Sequence, residues 1–313
     1  MSEPRFVARL RDRQRAEAQA SAAQPVWEVD GRDWPHREAS RFVPAAGLRW
    51  HVQRMGGGPV LLLVHGTGSA THSWRGLAPL LAERFTVLAP DLPGHGFTQA
   101  PPQGVFTLPG MAKALAGLLR ALDARPALVV GHSAGAAILA RMCLDGRITP
   151  ERLVSLNGAL LPFRGLAGQL FSPLAKLVAS TSLAPRLFAR QAADPAVVER
   201  LARDTGSSLD PVGLELYGRL ARRPGHVAAA LRMMAGWDLR SLARDLPCLR
   251  LPLHLLVGGN DRTIRPAEAR RVRELVPTAD VIRLPGLGHL AHEERPDEVA
   301  ELIVRLAQSD SFP

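Results

Sequence analysis

A serine between two glycines at the end of an apolar run is the strongest chemical signal in this chain. Residues 127–135 read Ala-Leu-Val-Val-Gly-His-Ser-Ala-Gly, and the helix-forming run Ala136-Ala137-Ile138-Leu139-Ala140 follows at once. This is G-x-S-x-G in a strand–turn–helix context, which lifts the serine hydroxyl above a sheet edge on a sharp, strained turn. Gly131 and Gly135 let neighbouring backbone pass close to that turn. Ser133 also falls at a helix N-terminus, where partial positive charge favours a developing anion. The bare pattern recurs by chance in Gly/Ser turns, so the strand before it and the helix after it carry the functional reading.

A serine hydroxyl is a poor nucleophile at neutral pH and needs a general base, which needs an orienting acid. Where the serine sits on such an elbow, the partners follow in the order Ser, acid, His at the ends of later strands. Leu253-His254-Leu255-Leu256-Val257-Gly258-Gly259-Asn260-Asp261 supplies an apolar strand, a Gly turn and then Asp261. Val281-Ile282-Arg283-Leu284-Pro285-Gly286-Leu287-Gly288-His289 supplies His289. Each residue alone is ordinary; a lone Asp at a strand end usually caps a helix. Order and strand-end placement together make them a constellation. An oxyanion hole needs two backbone N–H donors, expected from Ala134 and from Thr67 in the loop His65-Gly66-Thr67-Gly68. His65 reads as structural. His292 lacks the second histidine of H-E-x-x-H, so no metal site is expected, and no phosphate or dinucleotide loop implies a cofactor.

These residues need elements to hold them. Arg41–Val43 and Leu48–Gln53 read as short antiparallel strands around a turn at Pro44–Gly47. Pro59–Val64, Phe85–Ala89, Leu128–His132, Leu153–Leu156, Pro252–Val257 and Asp280–Leu284 read as strands of buried composition. Helical patterns cover Trp74–Ala82, Leu108–Leu122 with Pro109 at its first position, Pro266–Leu275 and Pro296–Leu306. Alternating strands and helices predict an α/β fold, a mostly parallel sheet flanked by helices.

Between Leu160 and Pro247 the alternation stops. Helix starts at Ser172-Pro173, Asp194-Pro195 and Asp210-Pro211, and a helix from His226 to about Gly236, predict an all-helical insertion. The domain reading is therefore a tail at 1–25, disordered or frayed helix, a core at 26–160 and 248–313, and a helical lid at 161–247. The lid carries Leu166, Leu170, Phe171, Leu174, Leu177, Val178, Leu183, Leu187 and Phe188. An apolar underside over the site and ordinary helix packing both account for them.

Composition narrows the class. The chain has 313 residues, 46% of them hydrophobic, enough for a full core. Two cysteines, Cys143 and Cys248, fit a reducing compartment, and Cys143 reads as a buried small hydrophobe. The net charge of +10 comes almost entirely from scattered arginines, only Lys113 and Lys176 being lysines. No stripe of basic residues with interleaved aromatics forms, so nucleic acid is not an expected partner. A GC-rich coding bias or attraction to an acidic partner or anionic membrane surface explains the charge. No run is apolar enough for a transmembrane segment and no signal-peptide core opens the chain, which predicts a cytoplasmic protein, with a peripheral place at a membrane surface left open.

His65-Gly66, Asp91-x-Pro93-Gly94-His95-Gly96, Gly131-x-Ser133-x-Gly135 and Gly288-His289 stand in an order that resembles the α/β-hydrolase superfamily from about Arg41 onward. A more specific resemblance lies partly outside the catalytic motifs. Asp30-Gly31-Arg32-Asp33-Trp34-Pro35, Gly66-Thr67-Gly68-Ser69-Ala70-Thr71-His72-Ser73-Trp74, Gly131 to Leu139, Ser155-Leu156-Asn157-Gly158-Ala159 and Gly288-His289-Leu290-Ala291-His292-Glu293-Glu294 are similar to the magnesium-chelatase accessory family of bacteriochlorophyll biosynthesis. That resemblance implies work near magnesium insertion into protoporphyrin, a tetrapyrrole as the apolar small molecule, and contact with magnesium chelatase. Three functions stay open. One is a serine hydrolase of a large apolar ester. Another is a porphyrin-binding carrier with no chemistry, and the third is a cofactor-free haloperoxidase or C–C hydrolase.

Overall fold

The apolar runs become the strands of one eight-stranded sheet in the computed structural model, which describes residues 23–101, 103–162 and 183–308. They are β1 (Ser40–Ala45), β2 (Leu48–Met55), β3 (Val60–Val64), β4 (Thr86–Pro90), β5 (Leu128–His132), β6 (Arg152–Leu156), β7 (Leu253–Gly258) and β8 (Asp280–Leu284). The order is β1-β2-β4-β3-β5-β6-β7-β8, antiparallel at β1/β2 and β2/β4 and parallel elsewhere. The order reverses around β3 and β5, which places the loops after these strands at a topological switch point, where open α/β sheets form their sites.

The central parallel strands are largely apolar because both faces are covered. On one face pack α3 (Leu108–Ala121), α4 (Ala134–Leu144) and α10 (Ala267–Leu275), around Leu62, Val129, Leu115, Ile138 and Val272. On the other, Leu77 and Leu81 of α2 (Leu77–Ala82) meet Val299 and Ile303 of α12 (Pro296–Gln308). A short α1 (Trp27–Asp30) precedes the sheet and α11 (Ala291–Glu294) follows β8.

Three local expectations are corrected. The first hairpin turns on Ala46 and Gly47 alone, both at positive φ, as a two-residue turn between right-twisted strands requires. Pro44 stays inside β1, an edge strand, where a missing N–H is tolerated. Residues 71–74 form a 3₁₀ turn and the α-helix starts only at Leu77. Pro109 takes the second position of α3, because Thr107 caps it by accepting from Gly110 N, a contact worth about 1 kcal/mol.

Between β6 and β7 the described chain is helical: α5 (Leu183–Gln191), α6 (Pro195–Asp204), α7 (Pro211–Ala221), α8 (Pro224–Gly236) and α9 (Arg240–Asp245). Asp194 and Asp210 cap α6 and α7 as the Asp-Pro pairs predict. Helix α8 begins at Pro224, two residues before the expected start, with proline again in the first turn. The expected start at Ser172-Pro173 and the apolar residues from Leu166 to Val178 lie outside the described residues, as does most of the N-terminal tail. Cys143 is half-buried and its thiol is pushed up to about 12 by burial, while Cys248 is exposed. No helix among the described residues is long and apolar enough to cross a membrane.

Candidate active site

Ser133 closes the tight turn between β5 and α4 at φ 51° and ψ −118°, a conformation a non-glycine residue rarely holds. Three backbone bonds hold it there. Ser133 N donates to Leu156 O at 3.0 Å, and its carbonyl accepts from Ala136 N at 3.2 Å and Ala159 N at 3.0 Å. The flanking glycines are forced by contact. A Cβ on Gly135 would stand 2.1 Å from Val64 O, and one on Gly131 would stand 2.4 Å from Ala136 N. Ser133 itself is only half-buried.

The expected acid and base are brought together. His289 Nδ1 lies 2.8 Å from Asp261 Oδ2. Asp261 Oδ1 accepts from Thr263 N at 2.7 Å and Ile264 N at 2.9 Å. The carboxylate is thereby fixed at both oxygens and holds Nδ1–H, which turns Nε2 of His289 free of that bond toward other work. The histidine loop is fastened next to the elbow. His132, the residue before Ser133, donates from Nε2 to His289 O at 3.0 Å, and the two rings stand 4.7 Å apart. Asn157, at the end of β6 with φ 46°, donates to Gly288 O at 3.0 Å and His289 O at 2.9 Å, while its Oδ1 accepts from Gly258 N at 2.7 Å. One amide thus ties the ends of β6 and β7 to the loop that carries His289. Burial, with the nearby His292 and His289 rings, keeps His132 well below the usual histidine range, so it serves as a neutral donor.

The expected oxyanion loop lies beside the elbow. A Cβ on Gly66 would meet Ser133 Cβ at 3.0 Å. Ala134 opens α4, so its N–H is among those a helix leaves without an internal acceptor. His65 is structural as expected. Leu92 N donates to its Nε2 at 2.9 Å and its Nδ1 lies 2.7 Å from Gly66 O, which shapes the loop carrying Thr67. Burial lowers the His65 ring below its usual range, with Asp91 opposing only in part.

The insertion touches both halves of the site. Thr67 Oγ1 lies 3.5 Å from Met233 Sδ of α8. His226 of α8 accepts from Gly96 N at Nδ1 and reaches Gly68 O from Nε2 at 3.0 Å. Its titration falls to about 4 through burial, which leaves the ring neutral and able to do both. On the histidine side, Ser207 Oγ accepts from Leu290 N at 2.8 Å and Glu294 accepts from Gly288 N at 2.8 Å. Tyr217 of α7 joins the halves: its hydroxyl donates to Glu293 at 2.8 Å and meets Ser69 Oγ at 3.1 Å. Arg75 pairs with Glu293 and, at 2.9 Å, with Asp210. Burial pushes the Glu293 carboxyl up to about 7 against the pull of Arg75 and Tyr217.

Sequence reasoning missed Asn157, His132, Ser207, Tyr217 and Glu293 as supports. For Asn157 a signal existed: Asn-Gly after a strand marks a turn in which Asn tolerates positive φ. The others have no local signature, since each works across more than 70 residues of chain. His292, set aside above, lies buried against His132 and Trp74, at ring distances of 4.6 Å to each. Among the described residues no group of three or more His, Cys, Asp or Glu side chains is arranged to hold a metal ion.

This architecture has relatives. Residues 61–302 match the model of the Alpha/beta hydrolase family. The chain is 37% identical over 274 residues to the magnesium-chelatase 30 kDa subunit of Rhodobacter capsulatus, covering 87% of this chain and 95% of that one. Among solved structures it resembles an α/β-hydrolase-fold protein from Burkholderia ambifaria, at a TM-score of 0.72 and 26% identity over 85% of this chain and 97% of that one. It also resembles a thermophilic esterase from Thermogutta terrifontis, at a TM-score of 0.68 and 25% identity over 86% and 99%. With its elbow, strand order and matched length, the chain belongs to the α/β-hydrolase family.

Proposed function

We propose that this protein is a serine-nucleophile hydrolase acting on an ester of a large apolar acid, a tetrapyrrole carboxylate ester, near the magnesium-chelatase step of bacteriochlorophyll synthesis. The observation that carries the chemistry is Ser133 on a strained turn beside the 2.8 Å His289–Asp261 pair. Ser133 Oγ attacks the ester carbonyl while His289 Nε2 takes its proton. The N–H groups of Ala134 and Thr67 receive the tetrahedral oxyanion, and Asp261 steadies the imidazolium. Collapse expels the alcohol, which takes the proton from His289. Water, activated by the same histidine, then releases the acid. The insertion between β6 and β7 acts as a lid, with Met233 against the oxyanion loop as its apolar contact.

The pathway assignment rests on the 37% identity to the Rhodobacter subunit. That relative, a magnesium-chelatase subunit by name, also favours a second reading, in which the protein presents a porphyrin to the chelatase without cleaving it. Fluorophosphonate labelling and a mass-based screen of pathway intermediates test the hydrolase reading. Ser133 should be the labelled residue, and an intermediate should change mass by the loss of an alcohol. A Ser133→Ala allele should fail to restore pigment in a strain lacking the protein. Full restoration by that allele would overturn hydrolysis in favour of the carrier.

A further inference from the structure

A cavity of about 340 Å³ lies beside the candidate site and shares with it only the supporting residues Asn157, Thr263 and Ile264. Its wall is the face of β6 and β7 that carries Leu255 and Val257, closed by Ala269 and Val272 of α10 and by Leu160 and Leu161. Ser133, Thr67 and Met233 are not in this wall. The lining also holds Asn157 and Thr263, both bonded to the candidate site, and Glu268, whose carboxylate pairs with Arg271. Two further polar features stand out. Ser155 on β6 is 1% exposed, and its hydroxyl has no hydrogen-bond partner among the described residues. At the mouth stand Arg262 and Arg265, both exposed, and no carboxylate among the described residues pairs with either.

A buried hydroxyl left unpaired is costly, and a bound polar atom removes the cost. The cavity's size falls in the range of small-molecule sites. At roughly 30 Å³ for each water-sized group, it holds about eleven such groups. Its depth agrees. Ser155 pairs in register with Leu255, three residues before the end of β7 at Gly258, which sets it about 10 Å below the end of β7, the longer of the two strands, at 3.3 Å per residue. That is the span of a ten-carbon chain.

We propose that this cavity binds a medium-chain carboxylic acid bearing a terminal hydroxyl or oxo group. The carboxylate sits at Arg262 and Arg265, the chain lies on Leu255, Val257 and Val272, and the far oxygen meets Ser155. The site is separate from Ser133 and does not depend on the hydrolase reading.

Calorimetric titration of the full-length protein with 10-hydroxydecanoate tests this. One net hydrogen bond should make it bind about fivefold tighter than decanoate, and Ser155→Ala should erase that difference. Octanoate should bind about tenfold more weakly than decanoate, because two methylenes are withdrawn from burial. 1,10-Decanediol should bind far more weakly than the acid, and Arg262→Gln with Arg265→Gln should remove that preference. Val272→Phe should abolish binding; an unchanged melting temperature shows that the variant folds, and if it does not fold, the Ser155→Ala comparison carries the test alone. Fluorophosphonate-treated protein should bind 10-hydroxydecanoate as well as untreated protein does. No binding at millimolar ligand, equal binding of acid and diol, or loss of binding after fluorophosphonate treatment would each overturn the proposal.

Discussion

Two sets of Ser, His and Asp side chains invite comparison in this molecule. One is Ser133, His289 and Asp261. The other is Ser40, His51 and Asp91: Asp91 Oδ2 lies 2.7 Å from His51 Nδ1, and His51 Nε2 lies 3.0 Å from Ser40 Oγ. Both have the residue types of a nucleophile, base and acid, and in both a carboxylate oxygen lies within 2.8 Å of the histidine Nδ1. The surroundings differ. Ser40 sits in an extended strand at φ −76° and ψ 138°, and its oxygen also accepts from Gln53 at 3.3 Å. His51 is fully buried among Trp27, Phe42 and Phe97, with ring centroids 5.0 to 5.4 Å away. Asp91 spends its oxygens on Thr71 N at 2.7 Å and Phe97 N at 2.9 Å as well as on His51. No helix begins at Ser40. Ser133, by contrast, is half-exposed, opens a helix and lies against a glycine-shaped loop. A serine chain does chemistry when its surroundings admit a substrate and point N–H groups at the oxygen that will carry charge; otherwise it is a polar strut.

The comparison can be broken most forcefully at the first chain. Ser133→Ala and His289→Ala should each lower esterase activity by about 10⁴-fold or more, since the members act as a unit. Steady-state rates checked alongside circular dichroism would show loss of turnover without loss of fold. Near-normal turnover in His289→Ala would mean the base lies elsewhere.

The second chain should answer in stability instead. Burial alone would raise the Asp91 carboxyl, but His51 and the bonded N–H groups outweigh it and hold it at about 2. Its contribution is present above the ordinary value of 3.8 and is lost as pH falls through about 2. Asp91→Asn should cost about 3–5 kcal/mol in chemical denaturation, because a buried charge network loses its centre. Fluorophosphonate labelling of the protein that remains folded should persist.

A third measurement concerns the clamp that joins the insertion to the site. The Glu293 carboxyl, ordinarily at 4.5, stands at about 7 when folded. The folded state therefore holds its proton more tightly. The associated stability is full below about 4.5 and lost as pH rises through about 7. Wild-type stability should fall across that window by a few kcal/mol, and Glu293→Gln should flatten the fall. An unchanged pH profile in the variant would remove Glu293 as its source.

The smallest effect is the most discriminating. Ser40→Ala should cost only about 1 kcal/mol, one hydrogen bond, and leave both labelling and turnover unchanged. Loss of labelling in Ser40→Ala would erase the distinction between the two chains.

Much of the first chain was legible because its signals are local. Gly131, Ser133 and Gly135 share one turn, and Asp261 and His289 each close an apolar strand within a few residues. Asp91 was legible as part of a Pro-Gly motif, but its partner His51 was not, because the two meet only when β2 pairs with β4. Tyr217 and Glu293 are 76 residues apart and no periodicity links them. The cavity beside Ser155 was equally hidden: β6 reads as an ordinary buried strand, and only the packing of α10 leaves space on its face.

The sequence by itself determined the alternation of strands and helices, the turn that carries Ser133, and the strand-end places of Asp261 and His289. These follow from short-range sterics, capping and hydrophobic period, which act within a few residues. The tertiary structure alone decided that His289 meets Asp261 and that His51 lies between Ser40 and Asp91, and it set Asn157 to tie His289 beside the elbow. It also laid the insertion across both loops of the site. Those outcomes depend on strand order and register, where side chains far apart in the chain come within 3 Å only after the sheet has closed its core.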